Sequence, residues 1–139
     1  MKSVENEFLV DLYLQSFLSV VDKTSMEMGI TLNINGALIS GTLISREQYF
    51  IGIENDFKNA SNEVANMIGK TLEGARLSDM EDQEKDLQEK TENDITYNFI
   101  HLKNAVIFFG NSSIPSNGGV YWRGKVDSID GYILGSLES

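Results

Sequence analysis

Residues 30–45, ITLNINGALISGTLIS, carry the pattern that decides the fold. Apolar and polar residues alternate over 30–35, as they do in a strand that buries one face. The pair Asn35-Gly36 then stands between two strand-like runs, and both residues tolerate the positive φ of a two-residue type I′ turn. The stretch predicts a β-hairpin, and Gly41 predicts a bulge or sharp bend in its second strand.

Helices are predicted on both sides of this hairpin. Residues 4–28 show apolar side chains at spacings of three and four, and Gly29 is a good stop signal. That apolar stripe comprises Leu9, Tyr13, Phe17, Val20, Val21, Thr24 and Met28, widened by Phe8 and Leu12. After the hairpin, Ser45 and Gln48 form a capping box that opens a long helix with apolar positions as far as Leu72. We expect this second helix to cover one side of a sheet.

The C-terminal part returns to strand. Residues 97–110 predict one long strand, 112–119 a loop, and 120–137 two strands that turn at Asp130-Gly131. The fold class is therefore α+β. We expect an N-terminal helix and about five antiparallel strands in a sheet or small open barrel, with the long helix inserted between the second and third strands. The whole chain, 1–139, is expected to be one domain.

Residues 78–94, SDMEDQEKDLQEKTEND, are almost entirely polar and mostly acidic. They are predicted to be a mobile segment, either a loop or a solvated extension of the helix. One functional alternative is a docking segment for a basic partner. A calcium site is a weaker alternative, because the run lacks the glycine and the ligand spacing of an EF-hand loop.

The charge balance limits the classes of partner. With 11 basic and 21 acidic residues, the formal net charge is −10. Such a chain repels phosphate backbones and anionic membrane surfaces, so we expect it to bind neither nucleic acid nor membrane. No apolar run approaches the roughly 20 residues that span a bilayer, and the N-terminus lacks the pattern of an export signal. Together with the absence of cysteine, these features favour a cytoplasmic protein.

The residue inventory speaks against catalysis. His101 is the only histidine, and a single histidine inside a predicted strand is usually structural. Nucleophile elbows and phosphate-binding glycine loops do not occur, and the counts exclude metal sites built from His and Cys. The acidic residues cluster where nothing would desolvate them, so a carboxylate-dependent hydrolase is only a third hypothesis. We predict no enzyme, no cofactor and no metal.

A candidate binding site lies near the C-terminus, in the segment 120–125. Tyr121, Trp122, Arg123 and Lys125 combine the only tryptophan with two basic residues in an acidic chain. Strand alternation would place Trp122 in the core and both cations on the opposite face. Trp, Tyr and Arg also dominate interface hot spots. The cations would then suit an acidic partner, and one candidate is the 78–94 segment of another copy.

Several stretches of the chain, including this one, resemble a known family. The stretch from Leu32 to Ser45, followed by Tyr49-Phe50, is similar to gas vesicle accessory proteins of the GvpU family. So are Phe99 to Asn104 and the run from Trp122 to Lys125 with Asp130-Gly131 and Leu134-Gly135. The resemblance covers about half of the chain, and the N-terminal helix and acidic segment do not take part in it.

The resemblance implies a cytoplasmic, non-enzymatic accessory factor that binds gas vesicle proteins during assembly or organisation of the shell. A homo-oligomer would add avidity on a repetitive shell surface, and unpaired sheet edges are one route to it. The alternative from a different functional class is an Sm-like or OB-like small barrel that binds RNA or another polymer, which clustered basic residues would favour.

Overall fold

A computed structural model describes residues 11–89 and 96–137. Three helices and six strands follow one another along this part of the chain. In order they are α1 (Leu12–Thr24), β1 (Met28–Ile34), β2 (Ala37–Ile44), α2 (Arg46–Lys58), α3 (Glu63–Glu89), β3 (Phe99–Phe109), β4 (Ser112–Ile114), β5 (Val120–Lys125), a 3-10 turn (Val126–Ser128) and β6 (Gly131–Leu134). The predicted α+β class is confirmed.

The six strands form one antiparallel sheet in the order β4-β3-β2-β1-β6, and β5 pairs with the same strand, β3, as β4 does. The long strand β3 therefore has β2 along one side and β4 and β5 in succession along the other. The sheet is open, since β5 and β6 lie at opposite edges and are joined only through the 3-10 turn. The predicted open sheet is confirmed, and the likeness to a closed small barrel is not.

The hairpin of β1 and β2 forms as predicted. Asn35 and Gly36 both have positive φ, of 51° and 86°, and Ile34 pairs with Ala37 across the turn. The register against β3 shifts between Ser40 and Thr42, which places the predicted bulge at Gly41. A Cβ on this glycine would lie 2.9 Å from the carbonyl oxygen of Lys103, so only glycine lets the two strands approach this closely.

The main core lies between α1 and one face of the sheet. Leu14, Leu18 and Val21 of α1 are buried against strand residues of β1, β2 and β3. Those strand residues are Ile30, Leu32, Ile39, Leu43, Ile100, Leu102 and Ala105. At about 25 cal/mol per Å² of buried apolar surface, this contact is the chief source of stability for the sheet.

Two details predicted for α1 are wrong. The helix ends at Thr24, where Ser25 adopts the left-handed conformation of a C-cap, and Met28 already belongs to β1. The face is also different, because Tyr13 and Val20 are exposed at 78% and 44%. The chain offers two overlapping apolar stripes, and the sheet selects the one formed by Leu14, Leu18 and Val21. Residues 4–10 of the predicted helix lie outside the described residues.

The predicted long helix after β2 is in fact two helices. The capping box of Ser45 and Gln48 opens α2 as expected, but α2 ends at Lys58. The carboxamide oxygen of Asn62 accepts from the backbone N–H groups of Val64 and Ala65 and so starts α3. The Nδ2 of Asn66 donates to the carbonyls of Phe57, Lys58 and Ala60, which satisfies the end of α2.

These two helices form an antiparallel hairpin. α2 packs on β3 and β5, on the face opposite α1, and α3 packs mainly on α2. The acidic segment 78–94 is helical as far as Glu89, and its remainder up to residue 94 lies outside the described residues. Among the helices described, none is long and apolar enough to cross a membrane.

The hairpin predicted at Asp130-Gly131 is wrong. β6 pairs with β1 rather than with β5, so the chain passes from one sheet edge to the other between Lys125 and Gly131. Asp130 supports the first hairpin instead: its N–H donates to the carbonyl of Asn33, and its carboxylate accepts from the N–H of Asn35. Pairing with β1 overrides the local turn preference of an Asp-Gly pair.

Candidate functional site

The candidate site lies on β5, where successive side chains face opposite sides of the sheet. Trp122 is the register partner of Leu102 and packs against the main core. Arg123 is the register partner of His101 on the other face. The prediction that Trp122 turns inward while Arg123 turns away from the core is confirmed, and alternation sends Tyr121 and Lys125 to the same side as Arg123.

Trp122 is half-buried, and its ring folds over the backbone of β5. A Cβ on Gly124 would lie 2.2 Å from the Cη2 of this indole. The glycine thus makes room for the tryptophan next to it on the same face. Trp122 serves mainly as a wall of the core, and the exposed polar character of β5 comes from Arg123 and Lys125.

His101 anchors Arg123. The imidazole is 5% exposed, and its Nε2 accepts a hydrogen bond of 3.0 Å from the Nε of Arg123. Burial, together with the positive charges of Arg123 and Arg46, lowers the pKa of His101 to about 4. The ring is therefore neutral at neutral pH, which is the state in which Nε2 can accept. His101 is therefore a buried residue that accepts from Arg123, where a structural or a surface histidine was expected.

Helix α2 covers the other side of His101. The ring centroids of Tyr49 and Phe50 lie 5.0 and 6.0 Å from the imidazole centroid, and Tyr49 meets Tyr121 edge to face at 5.9 Å. The helix can approach β5 because residue 52 is glycine: a Cβ there would lie 2.3 Å from the hydroxyl oxygen of Tyr121. Aromatic rings thus hold His101 and Tyr121 in place.

Aromatic rings lie beside the guanidinium group of Arg123. Its guanidinium carbon lies 3.8 Å from the ring centroid of Phe99 and 5.6 Å from that of Phe50. Arg46 approaches the same Phe50 ring at 5.3 Å. We call Arg46, Phe50, Phe99 and Arg123 the arginine–aromatic patch. It is a positively charged, partly apolar surface on a chain of net charge −10.

The geometry of the patch suits binding. The guanidinium of Arg123, over the Phe99 ring, can still donate to a carboxylate, and the stacking limits the entropy lost on contact. In the part of the chain that the structure describes, no group of three or more His, Cys, Asp or Glu side chains is placed to hold a metal ion. Arg123 offers directional hydrogen-bond donors, and Phe99 beside it offers flat apolar area.

Sequence reasoning found Arg123 but missed what surrounds it. Phe99 and Phe50 lie 24 and 73 positions before it in the chain, and only the pairing of β3 with β5 and the seating of α2 bring them together. The sequence does place Phe99 two residues before His101, on the same face of one strand, and both residues contact Arg123. Without the β3–β5 pairing, that signal could not be used.

Comparison with known proteins gives a family match. The family described as "Gas vesicle protein GvpU-like" matches residues 11–137 of the chain. This match spans the hairpin, both helices that follow it and the whole of the candidate site. No curated protein and no solved structure matches the chain.

Proposed function

The chain belongs to the GvpU-like family of gas vesicle proteins, and from this premise we propose that it is a non-enzymatic accessory protein that binds other proteins. Its partners would be shell proteins or other accessory proteins, and its role would lie in assembly or organisation of the shell. The proposal places the protein in the cytoplasm in association with gas vesicles, as the family implies.

The observation that carries this proposal is the exposed Arg123, held between the imidazole of His101 and the ring of Phe99. Pre-ordered arginines with aromatic neighbours are the typical energetic centres of protein interfaces. Lys125 lies two residues further along the same face of β5 and extends the positive charge. We propose that Tyr121, Trp122, Arg123 and Lys125 form the binding strand, with Trp122 supporting it from behind, and that the partner presents carboxylates.

The arrangement of basic residues supports a protein partner over a nucleic acid. The described lysines and arginines are spread over α1, α2, α3, β3 and β5, and several form ion pairs with carboxylates of the same chain, including Lys103 with Glu27 at 2.7 Å and Arg76 with Glu54 at 2.7 Å. A phosphate backbone needs a continuous basic surface to release its counterions. We therefore propose no role in RNA binding.

Self-association is also part of the proposal. β6 is an edge strand beside β1, and β4 and β5 form the opposite edge beside β3. Edges with unpaired N–H and C=O groups can pair with another copy, and an oligomer would bind a repetitive shell with avidity. Light scattering over a range of concentrations tests this, and a monomer at every concentration would remove oligomerisation from the proposal.

Flotation with purified gas vesicles tests the binding strand. We expect Arg123→Ala to weaken co-flotation about tenfold or more in apparent affinity, and we expect binding to weaken as salt is raised. Lys70→Ala is the matched control, because it removes one positive charge from an exposed position on α3. Equal affinities for the two variants would contradict a role for β5. Trp122→Ala is less informative, since it also removes part of the core.

A further inference from the structure

Strand β6 forms an open edge of the sheet. Among the strands described, β1 is its only partner. The N–H of Gly135 donates to the carbonyl of Gly29 at 2.8 Å, and in an antiparallel pair only alternate residues bond to the neighbouring strand. Ile133, two residues before Gly135, therefore directs its backbone groups to β1. The backbone N–H and C=O groups of Tyr132 and Leu134 point to the open edge.

These outward groups fit an added β-strand, which supplies matching donors and acceptors at the same spacing. Exposed apolar side chains lie beside them, because Ile133 and Leu134 are 59% and 54% exposed. Leu137, which is 41% exposed, donates its N–H to the Oγ of Ser40. That hydroxyl also accepts from Thr31, the register partner of Ile133, so Leu137 lies over the same face as Ile133. An added strand would cover apolar surface and also satisfy the backbone.

The opposite edge of the sheet is protected against pairing, and β6 is not. β4 is followed by Pro115, and β5 carries Arg123 and Lys125. Prolines and cations are among the devices that keep sheet edges from joining. Residues 131–137, GYILGSL, contain no proline and no charged side chain. The chain therefore leaves the β6 edge open to another strand.

We propose that β6 pairs with β6 of a second copy of this chain, antiparallel and about a two-fold axis, so that the two sheets join into one. The register that pairs all the outward groups places Tyr132 of each copy opposite the partner's Leu134. Ile133 then lies opposite the partner's Ile133, in an isologous contact. This pairing rests on the self-association proposed above and specifies the edge and the register that produce it.

The chemistry of this edge selects a second copy. A net charge of −10 opposes association in general, but the strand itself is uncharged. Two carboxylates near it already bond within the chain: Asp11 accepts from the hydroxyl of Tyr132, and Asp130 accepts from the N–H of Asn35. A strand of an unrelated protein would satisfy the backbone. Self-pairing also matches the side chains, because it brings two exposed isoleucines together at the non-hydrogen-bonded pair, where side chains are closest.

Cysteine cross-linking tests the register. The chain contains no cysteine, so Ile133→Cys introduces a single thiol. In the proposed pair the two Cα atoms at this position lie about 4.5 Å apart, within the range of a disulfide. Oxidation with diamide and electrophoresis without reductant measure the covalent dimer. We expect Ile133→Cys to cross-link at least tenfold faster than the controls.

Two controls separate the register from random collision. Leu134→Cys alters the next residue on the same strand, which is similarly exposed at 54%. In the proposed register the two copies of this position are two residues apart along the strands, beyond the reach of a disulfide. Leu12→Cys places a thiol on α1, at a position that is 73% exposed, and reports the rate of chance encounters.

Two further variants remove the pairing while keeping the bonds between β6 and β1. Ile133→Lys places two like charges at the centre of the interface, and Leu134→Pro removes an outward N–H. We expect each to raise the dimer dissociation constant at least tenfold in sedimentation velocity at up to about 1 mM protein. Val120→Lys is the matched control, since it changes a residue that is 44% exposed on the opposite edge, and its effect should be less than about twofold. Circular dichroism checks that every variant is folded.

Salt dependence gives a second readout. Because both copies have a net charge of −10, raising the salt concentration should strengthen the dimer, whereas it should weaken binding through Arg123. Equal cross-linking rates for Ile133→Cys and Leu134→Cys would overturn the proposal. A parent that dimerises while Ile133→Lys leaves the affinity unchanged would overturn pairing through β6 and leave self-association standing. A parent that stays monomeric at every concentration would remove both.

Discussion

Helices α1 and α3 differ in the side chains that they turn towards their neighbours in the fold. α1 buries Leu14, Leu18 and Val21 against the sheet, although Tyr13 on its outer side is exposed. α3 turns Gly69 and Arg76 towards α2 and leaves Val64 and Met67 exposed. The hydrophobic effect fixes α1, whereas close backbone approach and paired charges fix α3. The two helices thus contribute to stability by different kinds of contact.

The largest loss of stability is expected where α1 packs on the sheet. Leu14→Ala should lower the free energy of unfolding by about 3 kcal/mol, because it removes a side chain that is 3% exposed and leaves a cavity. Met67→Ala, on the exposed side of α3, should stay within about 0.5 kcal/mol of the parent. Urea unfolding followed by circular dichroism measures both. Equal losses would show that Met67 is part of the core.

The next effect concerns the charged contact of the helical hairpin. Glu54→Ala should cost about 2 to 3 kcal/mol, because it leaves Arg76 half-buried and without its 2.7 Å partner. Asp56→Ala is the control, since it removes an exposed carboxylate from the same helix and should change stability by less than about 0.5 kcal/mol. A Glu54 variant as stable as the Asp56 variant would mean that the hairpin is held by other contacts.

The stability of the fold should depend on pH through His101, which lies on the face of the sheet that α2 covers. The pKa of His101 is lowered from 6.5 to about 4 in the fold, so below pH 6.5 the unfolded chain binds a proton that the folded chain does not. The fold therefore loses stability as pH falls from about 6.5 to 4, by about 2 kcal/mol between pH 7 and pH 5.

Denaturant unfolding of the parent and of His101→Gln over that pH range measures this effect. Glutamine can accept a hydrogen bond from Arg123 but does not titrate. Between pH 7 and pH 5 the free energy of unfolding of the variant should therefore fall by about 2 kcal/mol less than that of the parent. Parallel curves for the two proteins would contradict the neutral, buried state of His101.

The smallest expected effect concerns the approach of α2 to β5. Gly52→Ala should cost about 1 to 2 kcal/mol although alanine favours helix, because the new methyl group would meet the ring of Tyr121 at 2.3 to 2.8 Å. Gly74→Ala is the control, since nothing lies within 4 Å of a Cβ there, and it should stabilise α3 slightly. Thermal unfolding measures both. A stabilising Gly52→Ala would show that α2 sits further from the sheet.

What the sequence predicted correctly was encoded locally. The Asn35-Gly36 turn, the bulge at Gly41 and the capping box at Ser45 each depend on a few adjacent residues, and all three are confirmed. The Asp130-Gly131 turn was predicted by the same reasoning and is wrong, because pairing of β6 with β1 is a contact between residues about 100 positions apart. Local turn chemistry cannot anticipate which edge a late strand will join.

In the helices too, some features were encoded locally and others depend on distant contacts. The break between α2 and α3 carried a local signal in Asn62, a good N-cap residue that the long apolar periodicity concealed. By contrast, the choice between two apolar stripes on α1, and the inward turn of charged residues on α3, depend on partners that the sequence does not reveal. At the candidate site, alternation along β5 was predictable, but the stacking of Arg123 on Phe99 needed the register with β3.

Flotation of the intact protein measures its binding to gas vesicles. Purified gas vesicles, free of this protein, are mixed with increasing concentrations of it, allowed to float, and the bound fraction is measured in the floating layer. We expect saturable co-flotation that salt weakens and that Arg123→Ala reduces about tenfold. Recovery of the intact protein entirely in the liquid below the vesicles, at every concentration and at low salt, would contradict direct binding to the vesicle.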